Sequence, residues 1–294
     1  MIAVFGLDTA RTWIQRCVRW CSVCLTCMSV AIVPAHCAYG ADYCDRDRVS
    51  VAPHVLTIGD TDPRVYWLHE QLVELGYLPF TFRPLVPTDR LYRAGRDDPD
   101  IGVFTWKYTN VPDTLRELWD PCRYNELTRG AVMTFEMDHG LRPDGFAGPA
   151  VFRAIALSST CVLGTFRPYR YVYVKQSIPQ IVRVWENGSW IFSAPCSTGV
   201  DAAPTHTGTH VIYLRNREQS MDGVGPSGKP YHVDHVPYVS FFYQGEALHG
   251  LSRSRYGIPQ SAGCVELAIH DSKRLWELTD YGTLVTIGDP QDQH

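Results

Sequence analysis

No dense block of lysine or arginine occurs anywhere in the 294 residues: 27 basic side chains stand against 31 acidic ones, a net charge of −4. The basic surface that a nucleic-acid binder uses to neutralise phosphates is missing, and nucleic acid is set aside as a partner. The apolar stretch over 20–33 falls short of the roughly 20 residues that span a bilayer. There is no H-E-x-x-H, so the helical zinc-peptidase pair is lacking too. Nor is there the low hydrophobicity of a disordered chain. At 45% hydrophobic residues the sequence supports one large domain or two modest ones with real cores.

What is present begins with an export signal. Arg11, Arg16 and Arg19 precede the apolar stretch, and the small residues Ala35, Ala38, Gly40 and Ala41 follow it. Residues 1–40 read as a signal peptide cut after Cys37 or Gly40. An uncleaved N-terminal anchor, and with it a membrane tether, is the alternative. Removing this segment takes away Cys17, Cys21, Cys24, Cys27 and Cys37 of the ten cysteines. Of the five left, Cys44, Cys122, Cys161 and Cys196 suffice for two bridges, leaving Cys264 as a free thiol. The other reading keeps those four as buried free cysteines that behave as small hydrophobes.

Asp62 and Pro63 mark a helix start, after which Val65, Leu68, Leu72 and Leu75 recur at helical spacing until Gly76. A second helix is predicted over 128–139 and a third from Gly148-Pro149 to about Leu157. The stretch 80–124 is too long for a plain loop and reads as an insertion with structure of its own, including a short helix near 113–119. After Gly164-Thr165 the pattern turns to β, with strands over 169–174, 178–186, 190–194, 209–215 and 238–243. Asn187-Gly188 is a hairpin turn. A helix over 271–278 and a strand over 283–287 close the chain.

The chemistry converges on Cys264. Ser261-Ala262-Gly263 makes a small-residue turn in front of it, and His249 ends a strand 15 positions upstream. A thiol of ordinary pKa, about 8.5, is mostly protonated at neutral pH, and a neighbouring imidazole is the usual means of activating it. The N–H groups of Gly263 and Cys264 are candidate oxyanion donors, with Ser261 orienting the loop. Gly250 and Gly263 are positions where a side chain would crowd the reacting carbonyl or block a positive backbone angle. Tyr238 and Tyr256 are candidate groove residues. Spacing alone leaves a structural Cys264–His249 pairing open.

Ala247-Leu248-His249-Gly250, then Ser261-Ala262-Gly263-Cys264-Val265-Glu266-Leu267, then Tyr281-Gly282-Thr283-Leu284-Val285-Thr286-Ile287 resemble the signature of the L,D-transpeptidase (YkuD-type) family. Ser197-Thr198-Gly199 and Thr207-Gly208-Thr209 resemble its upstream elements. Two departures stand out. Ala262 replaces the histidine usual beside the nucleophile, and Glu266 replaces a residue that is often Arg or Asn, so recognition of charged groups on the substrate is in question there. The resemblance implies an α+β chain with a YkuD-like β-sandwich catalytic domain over 167–290. The segment 55–160, insertion apart, resembles a three-helix peptidoglycan-binding module, with Asp144-Gly145-Phe146-Ala147-Gly148-Pro149 as its best motif.

The activity implied is formation of 3-3 cross-links between peptidoglycan stems through a Cys264 thioester, with release of D-alanine and His249 as base. An L,D-carboxypeptidase, a non-catalytic wall-binding protein and a zinc-dependent peptidase are the competing readings. The expected partners are stem peptides, glycan and carbapenem-type β-lactams as covalent inhibitors. The expected place is secreted, in a bacterial cell wall or envelope. No cofactor or metal is assigned. His206 with His210 lies four apart on a strand, too distant to chelate one ion without a bend, and His232 with His235 is read as structural.

Overall fold

Helix α1 (Pro63–Glu74) begins where Asp62 accepts the Arg64 N–H at 2.9 Å and Pro63 supplies the first turn without needing a partner for a missing donor. It ends before Gly76, whose φ of +81° suits glycine. Its apolar stripe, Val65, Leu68 and Leu72, is completely buried. Each such side chain contributes about 1.5–3 kcal/mol of burial. The computed structural model describes residues 55–85, 102–161, 164–225 and 227–289, and the signal segment and Cys44 lie outside them.

The insertion after α1 is a hairpin of β1 (Phe80–Pro84) and β2 (Gly102–Trp106), paired Phe80 to Trp106 through Pro84 to Gly102, followed by the short helix α2 (Asp113–Arg116). Phe82 and Phe104 meet Tyr66 of α1, and Phe80 and Phe104 meet Trp119. Downstream of the hairpin the chain clasps the β region. Trp185 Nε1 donates to the Asn110 carbonyl at 2.7 Å, Asn110 Nδ2 to the Gly188 carbonyl at 3.2 Å, and the Thr114 and Tyr171 hydroxyls lie 2.6 Å apart.

Helices α3 (Glu126–Asp138) and α4 (Pro149–Cys161) complete the helical part, α3 being capped by the Asn125 side chain on the N–H groups of Leu127 and Thr128. The loop joining them holds the Asp144-to-Pro149 motif, and its shape has a local cause. The buried Glu136 carboxylate accepts the Gly145 N–H at 2.9 Å while the Tyr124 hydroxyl donates to the Gly145 carbonyl.

The β part, with α5 (Ile269–Leu278), contains β3 (Arg170–Lys175), β4 (Ile181–Glu186), β5 (Ser189–Ser197), β6 (Gly208–Val211), β7 (Leu214–Val224), β8 (Pro230–Tyr243), β9 (Glu246–Gly250), β10 (Val265–Leu267) and β11 (Leu284–Gly288). Among the described residues they form one nine-stranded sheet in the order β6-β11-β3-β4-β5-β10-β9-β8-β7. The sandwich arises because the halves of this sheet close on a common core. Val172, Val182 and Val285 from one half meet Phe242, Leu248 and Val265 from the other, with Leu275 and Leu278 of α5. A second core joins the helices to the sheet's other face through Tyr171, Trp185, Val211 and Leu284.

Three expectations change. The strand read over 209–215 is broken between β6 and β7. The long β7–β8 hairpin replaces a strand expected only at 238–243. The two-bridge reading of the cysteines also fails, since Cys122 is exposed and free and Cys196 is a free thiol buried in β5, where loss of solvation pushes it up to about 12.

Candidate active site

Strand register brings the catalytic candidates together. β9 and β10 run parallel, with Glu266 opposite His249 and Leu267 opposite Gly250. Side chains alternate along a strand, so Cys264, two residues before Glu266, shares the face of both Glu266 and His249. All three line one cavity of about 330 Å³. Its far wall comes from the β7–β8 hairpin, through Met221, Tyr231, Val233 and Val236. Cys264 packs against the apolar cluster of Val236, Val239, Phe241 and Ala247, which half-buries it.

His249 is buried, and its Nδ1 donates to the Gly250 carbonyl at 3.2 Å. That bond selects the tautomer: with the proton on Nδ1, Nε2 carries the lone pair and is the ring's available base. Burial holds the imidazole below its ordinary pKa. Burial also pushes the Cys264 thiol up to about 11; the carboxylates of Glu266 and Glu246 add to this, and a hydrogen bond from the Ala247 backbone opposes it. Both shifts favour the neutral forms, thiol and imidazole, in the one cavity.

Ser261 ties the turn together. Its hydroxyl donates to the Cys264 carbonyl at 2.5 Å and accepts the Gly263 N–H at 3.2 Å. The Gly263 amide, expected to face an oxyanion, is thus engaged with Ser261 in this structure. Gly263 sits at φ +112°, a conformation L side chains rarely adopt. The Ser197-Thr198-Gly199 stretch supports this turn from behind: Ser261 N–H donates to the Thr198 carbonyl at 3.0 Å and Val200 N–H to the Ser261 carbonyl at 3.1 Å.

Gly250 has a different reason from the one expected. A Cβ there would lie 2.4 Å from Ser272 Oγ and 3.1 Å from Pro237, so its tight surroundings are α5 and β8. Tyr238 and Tyr256 line a separate groove of about 520 Å³. Tyr256 also braces its loop, accepting the Arg253 N–H at 3.1 Å and donating to the Leu251 carbonyl at 2.5 Å. Glu266 is buried and clamped by two 2.8 Å bonds from Arg253 Nε and Nη2. Arg253, which sequence reasoning passed over, therefore supplies a guanidinium beside the position where the family often carries one. Two arginines in the Leu251-to-Arg255 loop between His249 and Cys264 were the available signal.

The remaining histidines lie off this cavity's lining. His206 pairs with Glu246, His232 bridges Asp222 and Asp234, and His235 pairs with Glu218. Among the described residues no three His, Cys, Asp or Glu side chains converge as a metal set.

Residues 169–287 match the family model described as the L,D-transpeptidase catalytic domain, YkuD. No curated protein matches the chain. Among solved structures, an L,D-transpeptidase from Mycobacterium smegmatis is 19% identical over 41% of this chain and 58% of that one, with a TM-score of 0.36. L,D-transpeptidase 3 from Mycobacterium tuberculosis is 20% identical over 41% and 61%, at 0.37. The catalytic domain of the E. faecium enzyme is 19% identical over 42% of this chain and 99% of that domain, also at 0.37. This chain thus spans about three-fifths of the mycobacterial structures it matches. The family match covers every element that builds the Cys264 cavity, and the chain carries over residues 169–287 an L,D-transpeptidase catalytic domain of the YkuD family.

Proposed function

We propose that the chain is an exported peptidoglycan L,D-transpeptidase working through a Cys264 thioester, and the observation that carries this is the tautomer-fixed His249 sharing one cavity face with Cys264. The Cys264 sulfur attacks the carbonyl of the third stem residue as its proton passes to His249 Nε2. The tetrahedral intermediate collapses with cleavage of the C–N bond. The imidazolium returns its proton to the departing D-alanine amine, leaving a thioester. An acceptor amine then attacks, gives its proton to His249 and expels the sulfur, which is reprotonated, and a 3-3 cross-link remains. Water in place of the amine makes the same site a carboxypeptidase. The three-helix part, on its resemblance, adds a hold on the wall polymer.

The direct test is intact mass and product analysis of the full chain with disaccharide-tetrapeptide, and separately with a carbapenem. A single covalent adduct together with a dimer lacking one D-alanine is the expected result. Tripeptide without dimer identifies the carboxypeptidase instead. A folded protein giving neither adduct nor product overturns acyl transfer and leaves a wall-binding protein.

The neutral resting pair gives a pH profile of its own. Burial lowers His249 from 6.5, so the neutral imidazole is favoured at neutral pH, and the thiol is pushed up to about 11. Carbapenem acylation is expected to hold level from neutral into alkaline pH and to fall only below the depressed histidine pKa. Stopped-flow rates across that range decide it. A decline just above neutrality would mean that a preformed thiolate–imidazolium pair is the reactive species.

A further inference from the structure

We infer that Arg253 and the basic groove behind it form a subsite for the C-terminal carboxylate of the donor peptide, an inference that rests on the acyl-transfer reading of Cys264. Arg253 stands in the wall common to the catalytic cavity and the second groove. Glu266 uses its Nε and Nη2 donors, fixing the guanidinium, and of the five N–H groups of an arginine three are left. Beyond it the groove is lined by Arg253, His270 and Lys273 and by no acidic residue, in a chain whose net charge is −4. Asp271 and Glu277, which pair with His270 at 3.2 Å and Lys273 at 3.8 Å, lie outside the lining. The N-cap of α5, Ala268, also lines the groove and offers the first-turn amides no side-chain acceptor.

The spacing fits a donor. Glu266 is two residues from Cys264 on the same strand face, roughly 7 Å away at the usual rise. When the third-residue carbonyl is at the sulfur, the carboxylate of the fourth residue lies one residue further on, a reach of about 3.5 Å. A guanidinium pinned on Glu266 is in position to take it, and the groove continues from there as a path for the released amino acid. Glu266 thereby becomes a positioning residue, holding a charge opposite to its own where the substrate needs it.

The test uses stem tetrapeptides with lysine third and D-alanine fourth, ending either in the free carboxylate or in a carboxamide. Calorimetry with the full-length Cys264→Ala protein reads binding without turnover. The carboxylate form is expected to bind about tenfold tighter, the scale of one charge-assisted contact. Lys273→Gln, at an exposed position, and the double variant Arg253→Gln/Glu266→Gln, which removes the pair together and strands no buried charge, should each pull that ratio toward one. Equal binding of the two peptides, or a ratio unmoved in both variants, overturns the subsite. Turnover and carbapenem adduct on the unaltered protein are scored separately, so loss of the carboxylate preference and loss of acyl transfer are told apart.

Discussion

His249→Gln is expected to slow acylation of Cys264 by about 10²–10⁴-fold while the protein stays folded. The amide can still donate to the Gly250 carbonyl in place of Nδ1, and the side chain stays buried beside Glu266's strand. What it loses is the lone pair that accepts a proton. Because the thiol is held near 11, almost no thiolate forms unaided at neutral pH, and the variant has no other way to deprotonate it there. The loss corresponds to roughly 2.7–5.5 kcal/mol of barrier. Carbapenem acylation followed by absorbance, with thermal melts alongside, is the measurement. A rate within threefold of the unaltered protein, at unchanged melting temperature, would remove His249 as the base. His206→Gln is the companion variant, because the His206–Glu246 pair approaches the turn from the other side: Glu246 lies 3.5 Å from where a Gly263 side chain would start. It should leave the acylation rate within a few-fold of normal.

The two halves of this site were not equally legible in the sequence. Cys264, Gly263 and His249 stand in short contiguous motifs whose chemistry depends on residue type, so type and spacing marked them as candidates and the family resemblance singled them out. Arg253 depends on a partner thirteen positions away and on a loop path that no periodicity encodes, and only the fold discloses it. Glu266 was noticed as a departure, yet whether it faces substrate or an internal cation is a matter of packing. The helices with buried stripes and caps, such as 63–74 behind Asp62, were readable because one face is apolar. The β7–β8 hairpin was not, because residues such as Arg217, Glu218 and Asp234 are exposed on it and leave no alternation of apolar and polar positions. β1 and β2 were hidden similarly: their charged linker suggested a loop, and the aromatic rings that hold them to α1 are scattered over forty residues of sequence.

Gly282→Ala is expected to destabilise the protein by about 2–5 kcal/mol, and the reason reaches from a family motif to the arrangement of the whole described chain. Gly282 has φ +85°, and a Cβ there would stand 2.3 Å from the Gly130 carbonyl oxygen and 2.4 Å from Thr134 Oγ1. The contact is reciprocal, since a Cβ at Gly130 would stand 2.5 Å from the Gly282 carbonyl oxygen. Backbone therefore meets backbone where α3 crosses the turn into β11, and neither side has a flexible end to yield. A left-handed conformation costs a non-glycine residue about 1–2 kcal/mol, and forcing the helix away adds about 1–3 more. The Tyr281-Gly282-Thr283 stretch, read in sequence as part of a catalytic signature, here serves the joint between helices and sheet. Thr134 Oγ1 completes that joint with a hydrogen bond to the Tyr281 carbonyl at 3.3 Å. A fall in melting temperature of roughly 5–15 °C in one cooperative transition is the expected outcome. Gly288→Ala, where the added methyl meets open space, is the control. Two separated transitions would show instead that the helices melt independently and the shared core of Leu68, Tyr171 and Trp185 contributes little. One transition makes the helical part a fixed wall against the catalytic domain, joined to it through the shared core of Tyr171, Trp185, Val211 and Leu284.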